Sequence, residues 1–250
     1  MARKEEYGEL LAQIDKTRLP QHVAVIMDGN GRWAARRNLP RSMGHKAGAE
    51  AMRQATEICR EIGVKILTVY AFSTENWQRP QDEVDFLMKL FADYLSGEVK
   101  TMNDNQIRLG ILGEIEPLPV AVKTELAKSL AATAGNERML LNIAVNYGGR
   151  RELVLATRNL ARQVQSGGLM VDEIDEAAVA RALFTAGEVD PDLLIRPSGE
   201  LRISNFLLWQ AAYSEFYFAD VLWPDFGKAD MLRAIIAYQQ RQRRFGKVGS

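Results

Sequence analysis

Hydrophobic positions along this chain fall into short unbroken runs separated by longer amphipathic stretches. Val23 to Met27 is wholly apolar, and further apolar or β-branched runs occupy Val64 to Phe72, Arg108 to Leu112, Leu140 to Val145 and Leu193 to Ile195, with a sixth candidate at Phe216 to Phe218. Runs of this length without alternation read as strands buried on both faces, the pattern of a parallel sheet. Between and after them, helical periodicity covers Ala47 to Ile62, Glu83 to Val99, Val120 to Ala132, Arg151 to Gln165, Ile174 to Leu183 and Ala229 to Phe245. Gly63 and Gly167-Gly168 punctuate the ends of the first and fourth helices. The alternation predicts an α/β fold with a mostly parallel central sheet of about six strands and helices on both faces. We expect one domain over 1–250, with a charged N-terminal arm (1–18) and a basic C-terminal tail (240–250).

In an open α/β sheet, ligands bind beyond the carboxyl ends of the strands. Those ends carry Asp28-Gly29-Asn30-Gly31-Arg32-Trp33, Ser73-Thr74-Glu75-Asn76-Trp77-Gln78-Arg79, Asn146-Tyr147-Gly148-Gly149-Arg150, and Arg196-Pro197-Ser198-Gly199-Glu200-Leu201-Arg202-Ile203-Ser204. Four polar loops therefore converge on one rim. Within the first, Asp28 is suited to Mg²⁺ and Arg32 to phosphate oxygens, while the glycines let the backbone turn sharply and approach an anion. Gly29 to Ala34 also fits the G-x-G-x-x-A turn of dinucleotide-binding proteins. The acid which that reading requires would fall near Glu50, inside a helical stretch, and Asp28 would repel a bare pyrophosphate.

Charge sharpens this picture. Lys plus Arg and Asp plus Glu number 32 each, so no global field recruits nucleic acid. The rim is nevertheless locally cationic: Arg32, Arg41, His45, Arg79, Arg196 and Arg202 outnumber Asp28, Glu75 and Glu215. Arginines without a P-loop string suit diphosphates better than nucleoside triphosphates. The lone Cys59 lies in a helical stretch and reads as a small buried hydrophobe. The N-terminus has no apolar signal core and no uncharged apolar run is long enough to span a bilayer, so a cytoplasmic protein is expected.

The strings His22 to Ala34, Gly44-His45-Lys46-Ala47-Gly48, Tyr70 to Trp77, Asn142 to Arg150 and Asp192 to Glu200, continuing to Glu215, closely resemble the five sequence blocks of the cis-prenyltransferases, in order, from about Leu19 to Gly246. The resemblance implies sequential cis condensation of isopentenyl diphosphate onto farnesyl diphosphate. The implied product is undecaprenyl diphosphate, precursor of the lipid carrier for cell-wall glycans. It also implies an apolar tunnel, a homodimer, and Asp28 and Glu215 as acids linked to Mg²⁺, the latter acting across the dimer. By resemblance Gly29, Asn30, Gly31, Arg32, Trp33, Arg41 and His45 cradle the primer diphosphate, and Arg196, Arg202, Ile203 and Ser204 hold isopentenyl diphosphate. Asn76 resembles the residue that assists proton removal, with Ser73, Thr74, Glu75, Trp77 and Arg79 around it.

An amide titrates poorly, so a diphosphate oxygen or water is an equally good proton acceptor. Periodicity alone leaves the broad apolar surface of Glu83 to Val99 (Val84, Phe86, Leu87, Met88, Leu90, Phe91, Tyr94, Leu95) as either a tunnel wall or a helix buried in a larger core or dimer interface. The resemblance favours the tunnel, with Met139, Leu140, Leu141 and Ile143 as further wall. His22 reads as a structural histidine and His45 as a ligand-facing one. Arg244-Phe245-Gly246 resembles the R-x-G ending that reaches a partner's active site, and the aromatic run Phe206 to Trp223 suits a homodimer interface. A non-catalytic subunit and, more remotely, a dinucleotide-binding oxidoreductase are the competing functions. At most a loose contact with the inner membrane face is expected for product release.

Overall fold

The computed structural model describes residues 2–241. Six strands, β1 (His22–Ile26), β2 (Ile66–Ser73), β3 (Ile107–Leu112), β4 (Met139–Tyr147), β5 (Leu193–Arg196) and β6 (Glu215–Phe218), form one sheet in the order β3-β4-β2-β1-β5-β6. Every neighbouring pair is parallel, so the expected mostly parallel sheet is parallel throughout. Parallel pairing sends all carboxyl ends to the same edge, which is what gathers the four polar loops. The β2–β4 register slips on either side of Phe72, directly beneath the rim. Such irregularities re-aim side chains beside functional sites.

The helices are α1 (Ala2–Ala12), α2 (Asn30–Ala35), α3 (Arg41–Ile62), α4 (Gln81–Asp104), α5 (Val120–Thr133), α6 (Gly149–Gln165), α7 (Glu176–Ala182) and α8 (Lys228–Gln239). Pro40 and Pro80 are the N-caps of α3 and α4, and both helices start earlier than apolar periodicity alone indicates because their first turns are polar. The N-terminal arm forms α1 and packs on the core through Tyr7, Leu10, Leu11 and Ile14. The helix expected to continue to Phe245 is described to Gln239, and the Arg244-Phe245-Gly246 motif lies outside the described residues.

One face of the sheet (Val23, Val25, Leu67, Val69, Leu141, Ile143, Ile195) packs against α3, α4, α5 and α8. The other (Ala24, Tyr70, Ala144, Leu194) packs under Phe206, Leu207 and Ala211. Strand β1 is buried at every position, as its apolar run predicts. Within the aromatic run expected at a dimer interface, Phe206 and Trp223 are fully buried in this chain's own core, and Tyr213 is the exposed member. Cys59 is buried, and burial pushes its thiol up to about 12, so it stays protonated and inert. No helix among the described residues is long and apolar enough to cross a membrane.

Candidate active site

Asp28 lies just past the end of β1, and one of its oxygens organises the floor of the rim. Oδ2 accepts from Arg196 Nη2 at 2.9 Å, Ser198 Oγ at 2.9 Å and Arg32 Nη2 at 3.2 Å. Burial alone would raise the Asp28 pKa. The Arg196 and Ser198 hydrogen bonds and the Arg196 and Arg32 charges outweigh it and hold the carboxyl below its ordinary value. All three of these bonds use Oδ2. Two residues on, Asn30 Oδ1 is buried without a hydrogen-bond partner, packed toward Gly48 of α3. Asp28 itself lines the cleft, and an anionic oxygen donor there is the chemistry a hard cation prefers. Among the described residues no three acids or histidines converge as a ready-made metal cage.

Arg196 is 3% exposed and lies beneath the cleft instead of lining it. Besides Asp28 it donates to Ser204 Oγ at 2.8 Å and to the Arg202 carbonyl, so it orders the β5 loop around the acid. Arg32 reaches Glu200 Oε1 at 3.2 Å, and Glu200 also pairs with Arg202. The loop after β5, which holds this arrangement, contains four of the seven non-glycine residues with positive φ among the described residues: Ser198, Ser204, Asn205 and Leu207. Backbone held in such conformations is concentrated where function requires it.

A second cluster lies at the α3–α4 end of the same cleft. Glu83, in the first turn of α4, uses a single oxygen to accept hydrogen bonds from Arg79 at 3.0 Å and His45 at 3.2 Å and to pair with Arg41 at 3.2 Å. Arg41, His45 and Arg79 line the cleft and Glu83 does not, so the carboxylate holds the three side chains from behind. Burial lowers the His45 pKa, against the opposing pull of Glu83.

The loop after β2 forms a short 3-10 turn, Thr74–Gln78. Asn76 lines the cleft, but its Oδ1 accepts from the Ser73 backbone N–H at 3.1 Å, capping that turn. The indole of Trp77 donates to Asn146 Oδ1 at 2.8 Å and meets the Phe72 ring edge-on, which fixes the loop against β4. Glu75 accepts from Asn205 at 2.9 Å. Burial would raise its pKa, but its own backbone N–H and the Asn205, Ser73 and Thr74 side chains hold it low.

The polar cleft, about 790 Å³, spans Asp28, Gly29, Gly31, Arg32 and Arg41 on one side and Ser73, Glu75, Asn76 and Arg79 on the other. Beneath it lies an apolar cavity of about 90 Å³ between α3, α4 and the sheet, with Met52, Phe72, Leu90, Phe91, Tyr94 and Ile143 on its wall. Met27, Asn30, His45, Ala71 and Leu87 border both spaces, so the two adjoin. The broad apolar surface of α4 thus faces a cavity as well as the core. Of the expected wall from β4, Ile143 contributes, while Met139, Leu140 and Leu141 pack elsewhere in the core.

Several expected site residues stand apart from the cleft. Trp33 points to the far side of α2, donating to Asp225 Oδ1 at 2.7 Å with Arg37 stacked 4.1 Å above its ring. Thr74, Trp77, Arg202 and Ile203 do not line the cleft, whereas Ser204 does. Glu215 opens β6 in register with Leu193 and hence with Val23, at the opposite edge of the sheet from Asp28. There it accepts from Arg241 Nη1 at 2.8 Å. The two expected metal-linked acids therefore do not meet within one chain. His22 is fully buried, and its Nδ1 contacts the Val189 carbonyl at 2.7 Å, a structural role as expected. Sequence reasoning missed Glu83, Ser198 and Asn205; the first was marked only by an acidic first turn after Pro80.

Residues 26–246 match the family model described as putative undecaprenyl diphosphate synthase. An isoprenyl transferase of Heliobacterium mobile is 53% identical over 239 residues, 96% of this chain and 92% of the relative. The ditrans,polycis-undecaprenyl-diphosphate synthase ((2E,6E)-farnesyl-diphosphate specific) of Pasteurella multocida is 51% identical over 94% of this chain and 98% of its own. Among solved structures, lavandulyl diphosphate synthase of Lavandula x intermedia in complex with dimethylallyl diphosphate superposes with a TM-score of 0.90 at 39% identity, covering 92% of this chain and all of that one. A probable undecaprenyl diphosphate synthase of Campylobacter jejuni gives 0.75 at 32% identity, covering 91% of this chain and 99% of that one. Half-identity sustained over nearly the whole length, on the same fold, establishes that this chain belongs to the undecaprenyl diphosphate synthase family of isoprenyl transferases.

Proposed function

We propose that this protein condenses isopentenyl diphosphate repeatedly onto farnesyl diphosphate, each new double bond cis, to make undecaprenyl diphosphate for cell-wall glycan assembly. The observation that carries this reading is a cation-lined cleft adjoining an apolar cavity, which matches a molecule with a diphosphate head and a prenyl tail. In each cycle the primer's allylic C–O bond breaks and its electron pair leaves with the diphosphate. The terminal alkene carbon of isopentenyl diphosphate forms the new C–C bond, and a proton is lost as the new double bond forms.

The chain's own groups supply three things. Arg32, Arg41, Arg79 and His45 are held in place before substrate arrives, so they stabilise negative charge as it develops on the departing diphosphate. The apolar cavity shields the allylic cation from water. Asn76 holds the loop in shape with the same oxygen a base would use, so a diphosphate oxygen takes the proton. Asp28 would hold Mg²⁺, which would add positive charge at the leaving diphosphate. Glu215 would join that chemistry only from a second copy of the chain, which supports a homodimer. Its place of work would be the cytoplasm, with loose contact at the inner membrane face.

Incorporation of labelled isopentenyl diphosphate with farnesyl diphosphate and Mg²⁺ tests this directly. Wild type is expected to yield long polyprenyl products, and Asp28→Ala to lose activity by at least about a hundredfold. Folded wild type that incorporates nothing would rule the enzyme reading out and point to the non-catalytic subunit.

A further inference from the structure

Ion pairs tie α3 to α4, the two helices that wall the apolar cavity, at two levels. At the mouth Glu83 of α4 holds Arg41 and His45 of α3. Deeper, Arg53 of α3 donates through Nε to Glu98 of α4 at 2.6 Å and through Nη1 to Glu50 at 2.9 Å. Glu98 is 13% exposed and Arg53 45%, so the tie is anchored on its α4 side and open to the charged groove on its α3 side. Beside it stands Tyr94 of α4, with the Arg53 guanidinium 5.8 Å from its ring centroid.

Tyr94 borders the apolar cavity on one side. On the other it borders a charged groove of about 370 Å³ along Glu50, Arg53, Thr56 and Met102. It is the one described residue common to both linings, and so forms the partition between them. The cavity it closes is about 90 Å³. An engineered apolar cavity of about 150 Å³ takes up a single benzene. A chain of many isoprene units therefore outgrows this space unless the wall at Tyr94 yields.

We propose that Tyr94 is the floor the growing chain meets, and that the Arg53–Glu98 pair, which touches no substrate, governs product length by pinning Tyr94 between α3 and α4. The inference rests on the prenyl-elongation reading above. Tyr94 is a specificity-determining residue in contact with product; Arg53 and Glu98 are positioning residues acting through it.

The test compares product ladders of wild type, Tyr94→Ala, Arg53→Gln, Glu98→Gln and the charge-swapped pair Arg53→Glu/Glu98→Arg, alongside the rate of the first condensation and hydrogen exchange of α4 without substrate. Tyr94→Ala and both neutral variants are expected to move the most abundant product longer by at least one isoprene unit, and the two neutral variants, which touch no substrate, to keep the first condensation within about twofold of wild type. The swap restores the wild-type ladder, and α4 beyond Tyr94 exchanges faster in Glu98→Gln than in the swap. Unchanged ladders in variants with a normal first condensation overturn the proposal alone, as does unchanged exchange in Glu98→Gln. A wild type that makes no product overturns the elongation reading and the proposal together.

Discussion

Glu83 does not line the cleft, yet three side chains of the cleft, two of them arginines, share one of its oxygens. Removing its charge leaves Arg41, His45 and Arg79 without a common anionic partner, with the two guanidiniums free to turn toward solvent and to repel one another. Glu83→Gln is expected to raise the KM for farnesyl diphosphate about tenfold, the effect of losing one charge-assisted hydrogen bond. The KM for isopentenyl diphosphate changes much less, and steady-state titration of each substrate separates the two. The residue types at the rim were legible in the sequence because loop composition is local information. Their roles were not. Arg196, expected to grip substrate, is buried and donates to Asp28 and Ser204, a positioning role that loop composition does not reveal. Asn76, expected to assist proton removal, caps its own turn.

At the scale of elements, α2 lies against α3 because Gly44 and Gly48, one helical turn apart, leave room for it. A Cβ on Gly44 would sit 2.1 Å from the Asn30 carbonyl, and one on Gly48 2.3 Å from Asn30 Oδ1. Backbone in this position cannot yield, so Gly44→Ala is expected to destabilise by roughly 1–3 kcal/mol and to move Asn30 and Arg32 off the cleft. Gly97, inside α4, meets nothing within 4 Å of its ideal Cβ. There the same substitution is expected to stabilise by about 0.5–1 kcal/mol through reduced backbone entropy and better helix propensity. Urea unfolding of the two variants checks both signs. The Gly44-His45-Lys46-Ala47-Gly48 string was visible as a family block, but its packing reason needed α2 in place.

Across the whole molecule, a buried polar chain stitches the sheet to the loop before β5. Asn142 donates to Glu188 at 2.6 Å, and His22 contacts Thr68 Oγ1 and the Val189 carbonyl, both at 2.7 Å. The contact with a carbonyl assigns the proton to Nδ1, so Nε2 accepts from Thr68. Burial pushes the His22 pKa down to about 4. Because the unfolded chain binds this proton near pH 6.5, stability contributed by neutral His22 is intact above that pH. It is lost as pH falls from about 6.5 toward 4, by about 3 kcal/mol over the full window. Glu188, whose pKa burial raises, works in the opposite direction. His22→Gln is therefore expected to be less stable than wild type at pH 7.5 and to show a flatter decline toward pH 5, read as melting temperature against pH.

The sequence by itself determined the alternation of strands and helices, the rim of four polar loops and the five family blocks. Periodicity, loop composition and motif order are written along the chain and survive without a third dimension. Tertiary structure decided which side chains share a point in space: Glu83 with Arg41 and His45 of one helix and Arg79 of a loop, Asp28 with Ser198, and Tyr94 between two cavities. It also placed Glu215 at the far edge of the sheet, roughly 16 Å of strand rise from Asp28. Register and side-chain direction set those distances. Both arise from packing between segments far apart in the chain, which no local pattern encodes.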